Sequence, residues 1–245
     1  MAKNKIIRLN PVPDGFGTVA DKLEADMFAS TMPTQHTHLV YEDDDEGLYV
    51  GVWDTTDMTE VAGAYPCNEF MFLLDGEASI KNNRTGVLET VVTGEGFVIP
   101  KGYDCQWQQT GYLRKFFIIF EHPDEIIPAK PTYDHIVYFN EQVKNTTPIT
   151  KTSDGHQKQA LYQDLQGHFL AGIWTSNAFK TPLMSFPYHE FMVINEGCLI
   201  CTDEDNVEHI FTVGDAVFMP KNTLCSWQAK DKVSVYYTQI RQHTT

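Results

Sequence analysis

Two nine-residue stretches, 121 positions apart, constrain most strongly what this chain can fold into. Asn68-Glu69-Phe70-Met71-Phe72-Leu73-Leu74-Asp75-Gly76 returns as His189-Glu190-Phe191-Met192-Val193-Ile194-Asn195-Glu196-Gly197. In each, a glutamate heads an apolar run and a glycine follows seven positions later. Short apolar runs bounded by turn residues read as core strands. A carboxylate at the head of a core strand is costly to bury, so it needs a partner or a purpose. Its appearance twice argues for inheritance over accident.

The duplication extends further. Gly51-Val52-Trp53 returns as Gly172-Ile173-Trp174, and Pro66 as Pro187, at the same offset of 121. Beyond the next turn the offset is 120: Gly94 matches Gly214, Pro100-Lys101 matches Pro220-Lys221, Cys105 matches Cys225 and Trp107 matches Trp227. The lost residue falls between the turn-rich segments Lys81–Gly86 and Thr202–Asn206. Hairpin tips are where a chain tolerates a change of length. The spacing therefore divides the chain into two copies of one unit, residues 1–128 and 129–245.

In the first copy Leu48–Trp53, Phe70–Leu74, Glu77–Lys81, Leu88–Val92, Phe97–Ile99 and Phe116–Phe120 are short runs rich in β-branched and aromatic residues. Gly, Asn, Asp or Pro separates them, which marks strands. Without helical periodicity in between, they build a sandwich or barrel and not βαβ units. The fold class is all-β. Pro100-Lys101-Gly102 and Pro220-Lys221-Asn222 predict the same tight bend, because Gly and Asn both tolerate positive φ. Strand-like arms, Lys5–Leu9 and His135–Phe139, precede the two copies and are assigned to the copy each precedes. Pro123–Pro131 reads as the linker and Asp21–Ser30 as a short helix.

A formal net charge of −15 excludes ready binding to phosphate-rich surfaces, so neither nucleic acid nor membrane is expected as a partner. Met1–Lys5 leads only into Ile6-Ile7, unlike a secretory leader. No apolar run approaches the roughly eighteen residues of a membrane span. A cytoplasmic location is expected. The five cysteines are odd in number, and the Cys198/Cys201 C-x-x-C pair has no second pair to complete a zinc site. Reduced core thiols follow.

The order of Glu, six residues and Gly, then a hairpin, then Gly, five residues and Pro, resembles the two motifs of the cupin superfamily in both halves. The run Gly94–Trp107 together with Glu69-Phe70 is most similar to the cupin type 3 group, which includes (S)-ureidoglycine aminohydrolase and the ethanolamine-utilisation cupin. The resemblance implies two tandem jelly-roll barrels, a homodimer, and a small nitrogenous or carboxylated metabolite as the ligand. It does not fix the activity, because this superfamily hosts enzymes, sugar binders, storage proteins and regulators.

Most cupin enzymes hold a divalent metal with a His-x-His pair, the motif glutamate and a second-motif histidine. Carried onto this chain, the glutamates are Glu69 and Glu190. The His pair falls near Gly63 and Tyr65, and near Met184 and Phe186; the last ligand falls on Cys105 and Cys225. One carboxylate and one thiol fall short of the three or four ligands a catalytic Zn or Mn requires, so no cofactor is expected. His36-Thr37-His38 with Glu42 has the metal spacing, but the acidic, turn-like Asp43–Gly47 follows it. Surface or loop histidines are expected there.

Period-two alternation puts Glu69, Met71 and Leu73 on one face, and likewise Cys105 with Trp107. In a closed barrel the first interior receives Tyr65, Glu69 and Cys105, walled by Trp53 and Trp107. The second receives Phe186, Glu190 and Cys225, walled by Trp174 and Trp227, while His189 points away from Glu190. Burial raises a carboxyl pKa, which suits proton transfer near neutrality. Glu69 is the expected acid–base group, with Tyr65 orienting the substrate. Cys105 is a third candidate, although no histidine is placed to activate it or Cys225, and inert core thiols are the simpler reading. The competing view of each glutamate is that it accepts hydrogen bonds and pins strands together. Lys101 and Lys221 sit at turns, either solvated or drawing an anionic ligand to the rim. The expected function is hydrolase-, lyase- or isomerase-type chemistry on a small metabolite without the usual cupin metal. The alternative is ligand binding or regulation without turnover.

Overall fold

The computed structural model describes residues 5–122, 133–140, 148–151 and 156–241. The chain forms two compact units, Asn10–Tyr138 and Met1–Leu9 together with Phe139–Thr245. Each is built from two antiparallel sheets.

In the first unit the strand Asn68–Asp75 lies between Gly96–Ile99 and Leu113–Phe120, with Leu48–Thr55 and Gln35–Asp43 beyond. The other sheet joins Met58–Thr59, Asp104–Gln109, Glu77–Asn82 and Leu88–Val92, and Gly63–Ala64 also pairs with Asp104–Gln109. In the second unit His189–Glu196 lies between Ala216–Met219 and Val233–Ile240, followed by Phe169–Ser176 and Gln157–Gln163. The register repeats as well. Lys115 pairs across the ladder with Trp53 and Leu73, and Val235 with Trp174 and Ile194. Alternate residues of the facing sheets, among them Met71, Leu73, Ile80, Phe97 and Phe117, meet in one core. Inward-pointing residues of both sheets filling a common interior is what a jelly-roll requires.

The glycine that closes each repeated stretch has a steric cause. A Cβ on Gly76 would lie 2.3 Å from the Tyr112 carbonyl oxygen, and one on Gly197 would lie 2.2 Å from that of Lys232. Gly102 and Asn222 both take positive φ, 82° and 69°, giving the two copies the expected common bend.

Three expectations are corrected. First, the arms are exchanged. Ile7–Leu9 pairs with Ala216–Met219 of the second unit, and Val137–Phe139 extends the first unit's sheet beside Gly96–Ile99. The division at 1–128 and 129–245 therefore gives way to the units above. An arm of three residues carries no mark of which open strand edge it will complete. Second, Asp21–Ser30 holds only a 3-10 turn at Ala25–Met27, because Leu23 and Phe28 are used as separate plugs on the barrel core. Third, of the surface or loop placement expected for His36 and His38, the loop falls away, since both lie in the strand Gln35–Asp43. The Pro123–Pro131 linker lies outside the described residues. Among the described residues, no helix is long and apolar enough to cross a membrane.

Candidate functional site

In the first barrel Asn68–Asp75 and Leu113–Phe120 are neighbours, and each turns one charged side chain into the apolar interior. Lys115 Nζ donates to Glu69 Oε1 at 2.8 Å, with side-chain exposures of only 8% and 4%. The same ammonium lies 3.0 Å from Met71 Sδ. The rings of Trp53 and Trp107 flank it, with centroids at 4.7 Å and 5.1 Å. Tyr65 completes the group by donating a short hydrogen bond to Glu69 Oε2. Burial holds the Tyr65 hydroxyl well above its ordinary pKa, so it remains a donor. Two opposite charges survive out of water only when both are paired this fully.

A second carboxyl shares the space. Glu60 follows the short strand Met58–Thr59 and is held by its amide, which donates to the Trp107 carbonyl at 3.0 Å. Burial pushes its carboxyl up to about 7; the Glu69 charge adds to this and the Lys115 ammonium opposes it. Glu60, Tyr65, Glu69, Lys115 and Trp53 line a cavity of about 330 Å³. That volume suits a small metabolite.

The sequence-derived candidates divide accordingly. Glu69, Tyr65 and Trp53 line the cavity, while Trp107 braces Trp53 edge-to-face at 6.3 Å. Cys105 is buried in the core behind it, where burial pushes its thiol up to about 12. Lys101 is neither solvated nor at the cavity: it is 7% exposed, and its backbone amide donates to Asn68 Oδ1. In Gln35–Asp43 the residues facing the cavity are Gln35, Thr37 and Leu39. The intervening His36 instead bonds Asp54 Oδ1 through Nδ1 at 2.7 Å, on the other face of the strand.

The second barrel has the same frame with a different filling. Trp174, Glu190, Met192 and Trp227 stand where Trp53, Glu69, Met71 and Trp107 stand in the first, but Val235 replaces Lys115 and Phe186 replaces Tyr65. These residues, with Phe179, His156, Lys158 and Gln239, line a cavity of about 250 Å³. Trp174 packs edge-to-face on Phe179 at 5.4 Å, and Phe186 lies against Trp227 at 5.1 Å. Burial raises the Glu190 carboxyl above its ordinary value, against the opposing influence of Lys158, Gln239 and Arg241. Cys225 is buried away from this cavity, and burial pushes its thiol up to about 12. His189 faces away from Glu190, stacked on Phe218.

The metal that the fold brings to mind does not fit these donors. Gly63 and Met184, at expected ligand positions, pair across the ladder with Cys105 and Cys225. In the first barrel the motif carboxylate already holds an ammonium. Among the described residues no three His, Cys, Asp or Glu side chains converge in a way that could hold a metal ion.

Comparison with known proteins agrees with this architecture. Residues 164–237 match the family described as EutQ-like cupin domain. A solved protein of unknown function from Pseudomonas syringae pv. tomato is 18% identical, with a TM-score of 0.74 over 96% of this chain and 99% of that one. Protein Ylba from E. coli is 12% identical, with a TM-score of 0.61 over 100% and 95% of the two chains. Salicylate 1,2-dioxygenase from Pseudaminobacter salicylatoxidans is 12% identical, with a TM-score of 0.57 over 80% and 71%. No curated protein matches the chain by sequence. The fold is that of two tandem cupin-type barrels. The match to the EutQ-like cupin domain falls within the second of the two barrels.

Sequence reasoning missed Lys115 and Glu60. The signal for Lys115 was present: in Leu113-Arg114-Lys115-Phe116-Phe117-Ile118-Ile119, the period-two set Leu113, Phe117 and Ile119 encloses a lysine, and the 120-residue offset sets it against Val235. The expected strand started at Phe116 and so left it out. Glu60 directly follows a two-residue strand and has no repeat partner of like chemistry, since Thr181 takes its place. No sequence pattern marks it.

Proposed function

We propose that the first barrel is an acid–base site for a small metabolite, in which Glu60 moves the proton and Lys115 stabilises negative charge on a ligand oxygen. The supporting observation is Glu60 itself, a carboxyl pushed up to about 7 that lines a cavity beside a buried ammonium. A general acid or base works best when its pKa lies near the working pH. Glu69, expected from the sequence to carry that role, is held by Lys115 and Tyr65. It positions the ammonium. Of the three N–H groups on Lys115, one meets Glu69 and one meets Met71, leaving a donor for the ligand. Isomerisation through proton abstraction beside a carbonyl, or hydrolysis by an activated water, both suit this set. The second reading, binding without turnover, draws support from the engagement of Glu69 alone.

The test is proton NMR in D₂O of a panel of small 2-oxo acids, 2-hydroxy acids and ureido acids. The parent protein should exchange or convert at least one of them, with a pH profile inflecting near 7. Glu60→Gln should slow that step by roughly two to four orders of magnitude. Compounds that bind, yet remain unchanged with parent and variant alike, would make the barrel a binding site only.

A further inference from the structure

The duplication provides an internal comparison between a filled site and an open one. In the first barrel a glutamate, two tryptophans and a methionine sulfur surround a primary ammonium, that of Lys115. The second barrel keeps the glutamate, both tryptophans and the methionine at matching ladder positions, and all four line its cavity. The ammonium is absent, because the residue opposite Trp174 is Val235 where the residue opposite Trp53 is Lys115; the tyrosine donor is absent too, Phe186 standing for Tyr65, and the Gln239 side chain hydrogen-bonds Glu190 instead.

We infer that the second barrel binds a small organic ammonium compound, its cationic nitrogen taking the place beside Glu190 and between Trp174 and Trp227 that the Lys115 ammonium takes in the first barrel. Tryptophan faces attract cations most strongly of the aromatic side chains. A carboxylate out of water gains most from a cation in contact. Glu190 is 9% exposed, and among the described residues it has no ion-pair partner.

The surrounding charges shape the rest of the ligand. Lys158 and Arg241 act on Glu190 from a distance: Lys158 Nζ lies over the Tyr237 ring at 5.2 Å, and the Arg241 guanidinium lies over Tyr188 and bonds Gln239. His156 also lines the cavity, with its Nδ1 2.7 Å from Ser176 Oγ. Among the described residues the buried indole N–H of Trp227 has only the weakly accepting Cys225 thiol near it, whereas that of Trp107 donates to Gln109. Position 229, which matches Gln109, is Ala229. The lysine at the cavity calls for an oxygen acceptor on the ligand's other end. An amino acid or amino alcohol of a few carbons has both features and fits about 250 Å³.

The experiment is titration of the full chain, followed by tryptophan fluorescence, with n-butylamine, 4-aminobutyrate and 4-hydroxybutyrate. At least one of the two amines should bind saturably, and 4-hydroxybutyrate, which lacks only the ammonium, should bind at least about tenfold more weakly than 4-aminobutyrate. Glu190→Gln should weaken the amines by at least about tenfold. Val235→Lys should abolish amine binding, since it supplies the barrel with its own ammonium as the first barrel does; if that variant fails to fold, Glu190→Gln still decides. The inference is overturned if neither amine saturates up to about 20 mM, if 4-hydroxybutyrate binds as well as 4-aminobutyrate, or if a folded Val235→Lys binds undiminished. None of these outcomes depends on proton transfer in the first barrel.

Discussion

Replacing Lys115 with methionine removes the ammonium but keeps most of the side-chain volume, so the packing loss is small. What it leaves behind is Glu69, 4% exposed at its side chain, with the Tyr65 hydroxyl as its hydrogen-bond donor. An exposed ion pair is worth about 0–1 kcal/mol. Removing one member of a buried pair costs about 3–5 kcal/mol, because the survivor stays charged out of water. Exposures of 8% and 4% place this pair in the second class. With a urea m-value of about 2 kcal/mol per M, the midpoint should fall by about 1.5–2.5 M. Acidification should shrink the deficit, since protonating the lone carboxylate relieves it. The double variant Lys115→Met/Glu69→Gln should recover at least half the loss, because neither side then carries an unpaired charge. A single-variant cost below about 1 kcal/mol, with no recovery in the double variant, would refute the reasoning and show the pair to be solvated.

Other consequences follow from the same geometry. Glu60 is raised from 4.5 to about 7, so the folded state resists its ionisation. Stability from this group is fully present below pH 4.5 and is lost as pH rises through 7, by about 3 kcal/mol at roughly 1.4 kcal/mol per unit. Glu60→Gln should abolish that decline, and a variant that declines in step with the parent from pH 5 to 8 would contradict the assignment. Of the five cysteines, Cys67, Cys105, Cys201 and Cys225 are buried with raised thiols, whereas Cys198 is half-buried. An aromatic disulfide reagent should therefore label one thiol in the native protein, and Cys198→Ser should remove it; fast labelling of two or more would contradict this. Gly76→Ala, with φ +86° and a Cβ 2.3 Å from the Tyr112 carbonyl oxygen, should cost more than about 2 kcal/mol in a thermal melt.

Much of the architecture could be read from the chain because a duplication is its own alignment. The shared offsets fixed the strands, the bends at Gly102 and Asn222, and the inward faces of Glu69 and Glu190. The arms could not be placed, since Ile7–Leu9 and Val137–Phe139 are too short to encode a pairing choice. The candidate site was legible only in part. Aromatic walls and motif glutamates stand out by repetition, whereas Lys115 and Glu60 are features of one copy alone, and the comparison of copies hides what they do not share. The need of Glu69 for a partner is legible in the sequence, because a buried carboxylate is costly; the identity of that partner, Lys115, is not, because the strand reads clearly only from Phe116 onward.

The proton on Glu60 is the most direct point of attack on this account. Carbon-13 carboxyl NMR of glutamate-labelled protein, titrated from pH 4 to 9, resolves individual side chains, and loss of one signal in Glu60→Gln assigns it. The account predicts a Glu60 midpoint near 7, far above the ordinary 4.5. A Glu60 midpoint at or below 4.5 would contradict it, because a carboxyl already ionised throughout the neutral range has no proton to give in the first barrel.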